Sequence, residues 1–196
     1  MFIRDGLYPI LTILLILAII VFLPIYIFIA ILILLLTYLI LVFRIPNIKA
    51  SPFPRVFLSP VNGKIISIKE KVLDKELFNE VTIRICPFMS HINLIPLSGR
   101  VTNITSTYDV NTSKKITSTM DIITEFGSYK IKQVAEGYFK RIKNNLVKDD
   151  IVETHDFFGY TIFKANIVLY IPKTFEITVS LKDSVKAGLD VISRAQ

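Results

Sequence analysis

The sequence predicts a mainly β protein: a barrel- or sandwich-like β domain behind an N-terminal transmembrane helical hairpin. Three observations predict it. The stretch Gly6–Phe43 carries no charged side chain. Past residue 57, apolar residues recur with a period of two. Hydrophobic residues make up 52% of the 196-residue chain, and its mean hydropathy is +0.56, high for a soluble domain of this length.

The membrane segment comes first, at 1–44. A single spanning helix needs about 20 apolar residues. The uncharged run is long enough for two short spans, and Pro24 stands near its middle. A proline can end one helix and open the next, so the expectation is a transmembrane or re-entrant hairpin, Tyr8–Leu23 and Pro24–Phe43. Arg4 precedes it, and Arg44, Lys49 and Arg55 follow. Basic residues at both ends put both ends on the cytoplasmic side. A cleaved signal peptide does not fit, because the run is too long and no small-residue cleavage site follows. Residues 45–57, with three prolines, read as a linker.

The β domain covers 58–196. Val61-Asn62-Gly63-Lys64 reads as a hairpin turn leading into Ile65-Ile66-Ser67-Ile68. Val81, Ile83 and Ile85 alternate with Thr82, Arg84 and Cys86, which gives a half-buried strand. Phe175, Ile177, Val179 and Leu181 give another. The polar, Ser- and Thr-rich stretch Thr105–Gly127 reads as a long loop, and the sequons at Asn103 and Asn111 carry no message on a cytoplasmic face. Glu153, His155 and Asp156 form a small polar cluster that a turn explains more simply than a metal.

Composition excludes several classes. One cysteine, Cys86, rules out an internal disulfide, and with two histidines the chain lacks the Cys and His ligands of a closed zinc site. The net charge is +7, but no basic run is longer than two residues and no aromatics interleave with it. That pattern argues against nucleic acid and toward membrane lipid as a partner.

Four segments then stand in a telling order. They are Phe43-Arg44-Ile45-Pro46, Ser59-Pro60-Val61-Asn62-Gly63, His91-Ile92-Asn93 with Pro96 and Gly99, and Gln133-Val134-Ala135 with Lys140-Arg141-Ile142. A tail with Tyr170-Ile171-Pro172 and Val185-Lys186-Ala187-Gly188 completes them. Together they resemble the short bacterial and archaeal type of phosphatidylserine decarboxylase across nearly the whole chain.

The resemblance implies a pyruvoyl cofactor made from the chain itself. A Ser hydroxyl attacks the preceding Gly carbonyl, with an Asp–His pair assisting. By the resemblance, His91 keeps the family's histidine. The family Asp falls on Asn62, and its Gly-Ser cleavage pair falls on Lys164 and Ala165. Ala165 has no hydroxyl, so no pyruvoyl group is expected and the cofactor expectation is none. A lone His91 is equally well read as a polar residue retained for packing.

The expectation is therefore a catalytically inactive relative, acting as a scaffold, a lipid-headgroup binder or a subunit of a membrane complex. The family pairs through its β domains, so a homodimer or a heteromer with a related or larger complex is expected, in a bacterial or mitochondrial inner membrane with the β domain on the cytoplasmic or matrix side. Two other readings remain. One is an active decarboxylase, if residues 164 and 165 are engineered or the cleavage pair lies elsewhere, for example at Gly127-Ser128. The other is a lysine carrier domain with Lys164 as acceptor, set eight residues before Pro172.

Overall fold

A computed structural model describes residues 4–43, 55–73, 75–87, 89–108, 115–137, 141–162 and 165–195. The chain divides into two units near residue 41. The first is a single helix, α1, Arg4–Phe43, of 40 residues. Its Leu11–Leu41 stretch is long and apolar enough to cross a membrane. The expected hairpin is thus corrected to one unbroken helix. Pro24 removes one backbone donor, but its neighbours Phe22, Leu23, Ile25 and Tyr26 include no Gly, Asn, Asp or Ser to build a reversal. Apolar helices tolerate an internal proline. At 1.5 Å per residue such a helix runs about 60 Å.

The second unit is β. Its strands are β1 (Val56–Leu58), β2 (Gly63–Leu73), β3 (Glu76–Ile85), β4 (Ile92–Leu94), β5 (Gly99–Tyr108), β6 (Lys115–Thr124) and β7 (Gly127–Glu136). They continue as β8 (Arg141–Asn144), β9 (Ile151–Val152), β10 (Phe157–Ile162), β11 (Ala165–Pro172), β12 (Phe175–Ile177), β13 (Ser184–Val185) and β14 (Val191–Ala195). Eight of them form one curled sheet in the order β13-β2-β3-β11-β7-β6-β5-β9. Two three-stranded sheets accompany it, β1-β14-β12 and β4-β10-β8. Every pairing among the described residues is antiparallel.

The alternation read in β3 is borne out. Val81, Ile83 and Ile85 are buried, while Thr82 and Arg84 point the other way. The inward residues meet Ile131, Ile167, Leu169 and Ile192 in one core. Phe57 stands within it, edge-on to Tyr129 and Phe175.

Three expectations need correction. The supposed loop Thr105–Gly127 lies largely in the β5–β6 hairpin, where Thr105, Ser106 and Thr107 face Thr119, Ser118 and Thr117. Residues 109–114, with the Asn111 sequon, lie outside the described residues. Threonine favours strands, and its pairs support a ladder without an apolar pattern. The turn at Val61–Lys64 does not join a hairpin, because β1 pairs with β14 while β2 pairs with β3 and β13. Finally, the strand at Phe175 stops at Ile177. Asp183 accepts the Ser180 N–H at 2.8 Å and turns the chain there, a reversal that an Asp side chain supports.

Candidate functional site

The segment between β1 and β2 is anchored on two sides. Leu94 N–H donates to Pro60 O, and Gly188 N–H donates to Ser59 O. Asn62 continues this clamp. Its backbone carbonyl accepts Cys86 N–H at 3.0 Å. Its side-chain Nδ2 donates to Ser90 O at 3.3 Å, and Oδ1 accepts Ala187 N–H at 3.0 Å. The amide therefore uses a donor and an acceptor at once, which a carboxylate cannot do. Gly63 must be glycine: a Cβ there would stand 2.2 Å from the Arg84 carbonyl oxygen of the paired strand.

Ser90 precedes His91, so Asn62 fixes the loop that presents the imidazole. His91 is 5% exposed, and neither ring nitrogen makes a sound hydrogen bond. Its backbone carbonyl accepts Thr161 N–H at 3.2 Å, tying the loop to β10. Burial holds the imidazole pKa below its ordinary value, opposed by the carbonyls of Pro87 and Cys86. At neutral pH the ring is an uncharged base, able to take a proton.

A cavity of about 430 Å³ opens beside it, lined by Arg84, Ile85, Pro87, His91, Glu136, Ala165 and Asn166. Ala165 begins β11 opposite Ala135 and is 3% exposed. The structure thus brings His91 and Ala165 to one cavity. Asn62 is not part of its lining and reaches Ser90 and Ala187 instead. Lys164 lies outside the described residues. The cavity holds a base and no hydroxyl at position 165.

Sequence reading missed a buried polar cluster tied to the His91 loop through Thr161. Asn93 and Gln133 both donate to Thr161 Oγ1, at 2.7 and 3.3 Å, and all three are buried. Two of these residues stand in motifs noted above, and their meeting on Thr161 depends on strand order. Arg84 and Asn166 are cross-strand partners on β3 and β11, and only the register brings them together. The cluster Glu153, His155 and Asp156 is a turn: Asp156 Oδ2 accepts Glu153 N–H at 2.7 Å, and His155 adopts a φ of 78°.

The His91 environment gives a pH prediction. The folded pKa lies below the unfolded one, so the unfolded chain binds the extra proton first. The stability tied to neutral His91 is complete above the unfolded value. It is lost as pH falls through that value toward the depressed folded one. Urea midpoints at pH 7.5 and 5 should therefore fall more for the parent than for His91→Gln. Equal pH slopes would contradict the buried neutral imidazole.

A family model described as phosphatidylserine decarboxylase matches residues 40–193. The chain is 28% identical over 170 residues to the phosphatidylserine decarboxylase proenzyme of Chlorobium chlorochromatii, covering 81% of this chain and 80% of the relative. Against that of Chlorobium luteolum it is 30% identical over 172 residues, with 81% and 80% covered. Against that of Amoebophilus asiaticus it is 26% identical over 170 residues, with 80% and 75% covered. No solved structure matches the chain. With the Ser59–Gly63 clamp, the His91 loop and the Ala165 strand all inside the matched span, this chain belongs to the phosphatidylserine decarboxylase family.

Proposed function

We propose that the chain is a membrane-anchored family member that forms no pyruvoyl group and works without decarboxylation. It serves as a lipid-headgroup-binding or scaffolding subunit of a membrane complex. One observation carries this reading: position 165, in the lining of the His91 cavity, is an alanine, whose side chain is a methyl group. A pyruvoyl group needs a serine or comparable hydroxyl at the cleavage position. The residues present do not fit that group. Asn62 supports the same reading, because its amide is engaged as a strut and offers no carboxylate to His91. The test is self-cleavage: the purified chain should stay whole, and two fragments divided before Ala165 would contradict the reading.

The apolar helix supports the anchor. A single span separates its two flanks, so their basic residues compete. Arg44, Lys49 and Arg55 follow the helix, against Arg4 alone at its start. The positive-inside rule then assigns the β domain to the cytoplasmic side. The chain should remain in the membrane pellet after an alkaline carbonate wash, and protease added to vesicles with the cytoplasmic side out should digest the β domain. Release by carbonate, or protection from protease, would contradict this topology.

Self-association completes the proposal. Ile123 and Ile151 are exposed and flank Arg100 in consecutive strands, so one edge of the large sheet presents apolar side chains. The expected species in mild detergent is a dimer, or a heteromer when a related subunit is present. A monomeric mass by light scattering, well above micromolar concentration, would count against it.

A further inference from the structure

We propose that the open edge of strand β5 pairs antiparallel with the same edge of a second copy of this chain, joining two large sheets into one. This rests on the self-association proposed above and names the strand and register that carry it.

The large sheet leaves two long strand edges without a partner among the described residues. On β5, the short strand β9 covers only Gly99 and Arg100, and Val101 exchanges backbone hydrogen bonds with Asp149 and Asp150. From Asn103 to Tyr108 no further strand lies on that side. On β2, β13 covers only Gly63 and Lys64, and Ile65 bonds to Lys182 and Asp183. From Ser67 to Leu73 that edge is open too. Open edges invite pairing, and charged side chains are a common guard against it.

The two edges differ in that guard. Lys69, Glu70 and Lys71 stand in the open stretch of β2, all exposed. A self-pairing centred on any of the three sets Lys against Lys or Glu against Glu, which destabilises a ladder. The open stretch of β5 is Asn103-Ile104-Thr105-Ser106-Thr107-Tyr108, with no charge, no proline and no glycine. Asn103, Thr105, Ser106 and Thr107 are exposed, so residues of both faces are reachable. Threonine, isoleucine and tyrosine favour strands. This is an edge built to pair and left unguarded.

A second copy is the occupant that the sequence of β5 fits. About a two-fold axis at Thr105, Thr105 meets its own counterpart, Ile104 meets Ser106, and Asn103 meets Thr107. No like charges face each other, and threonine pairs support a cross-strand contact. The new pair extends the row that Thr105 already forms with Thr119 on β6. Such an isologous contact uses each β5 edge once and closes at two copies. Pairing β5 with a neighbour's β2 would leave one edge of each kind free and grow into a filament, and the charged triplet on β2 blocks it. A short ladder alone is weak, but two copies anchored in one membrane meet at a high effective concentration.

The test uses the full chain in mild detergent. In a Cys86→Ser background, Thr105→Cys should give a covalent dimer on oxidation with copper phenanthroline. Directly opposed residues of antiparallel strands lie about 4.5–5.5 Å apart at Cα, within the reach of a disulfide. Val147→Cys, exposed and outside any strand, is the reference and should stay uncrosslinked. Thr105→Lys sets two ammonium groups against each other, and Thr105→Glu two carboxylates. Each should weaken the dimer at least about tenfold by light scattering, and an equal mixture of the two variants should restore it. A dimeric parent with no cross-link in Thr105→Cys and no weakening in Thr105→Lys would overturn this pairing while leaving self-association standing. Failure of the mixture to restore the dimer would overturn it as well. A monomeric parent would overturn both.

Discussion

The purified chain should be a single uncleaved species near 22.4 kDa, and phosphatidylserine supplied to it should release no carbon dioxide. Ala165 lines the His91 cavity, and its methyl group can neither attack a carbonyl nor become a ketone. Restoring serine alone, Ala165→Ser, should leave the chain intact or cleave it very slowly. Lys164 then still carries a Cβ where the backbone must bend, and Asn62 still cannot assist proton transfer to His91. The informative variant is the triple change Asn62→Asp, Lys164→Gly, Ala165→Ser. General-base assistance is commonly worth about 10²–10⁴-fold, so the triple variant should cleave faster than Lys164→Gly, Ala165→Ser by a factor in that range.

The structure adds a cost to this experiment. The carboxylate introduced by Asn62→Asp has no proton to donate to the Ser90 carbonyl, so it must turn away from that oxygen. Some loss of loop order at residues 86–91 should accompany any gain in cleavage. Two fragments from the parent chain, divided before Ala165, would overturn the inactive reading. Cleavage by the triple variant alone would support it.

How much of this was legible in the sequence differs by element. The uncharged run Gly6–Phe43 announced a membrane-length segment, because charge exclusion needs no tertiary context. Its shape was not legible. Proline breaks helices in water, yet Pro24 sits inside α1 among apolar neighbours that offer no turn. Strand β3 was legible from its alternation. Strands β5 and β6 were not, since Ser106 and Ser118 pair on one face where a greasy residue would have marked the core. The signal that could have found them was threonine content together with Ile104, Met120 and Ile122.

The site divides in the same way. Motif order singles out His91 and Ala165, and the fold places both in the lining of one cavity. Arg84, Glu136 and Asn166 were missed, because their membership comes from the β3–β11–β7 register rather than from neighbours in sequence. By the resemblance, Asn62 stands where the family has an acid. Its two hydrogen bonds to Ser90 and Ala187 give it a second role that only the folded chain reveals.

The largest expected loss of stability is at Phe57. Phe57 lies on the short strand β1, which pairs with β14 near the end of the chain. Its ring is 1% exposed, with centroid distances of 5.0 Å to Tyr129 and 4.8 Å to Phe175, both edge-on. Tyr129 is itself fixed, since its hydroxyl donates to Leu97 O at 2.6 Å. The ring therefore bridges the large sheet, through Tyr129 on β7, and the sheet β1-β14-β12, through Phe175. Truncation leaves a void that the pinned Tyr129 cannot move to fill. Phe57→Ala should cost about 3–5 kcal/mol, a fall of more than a hundredfold in the folding equilibrium. Exposed Val147, in the loop after β8, provides the contrast: Val147→Ala should change stability by no more than about 0.5 kcal/mol. Urea denaturation of the full chain in detergent measures both. A loss below about 1 kcal/mol at Phe57, outside the range for buried aromatic truncations, would mean that the two sheets are not joined through this ring.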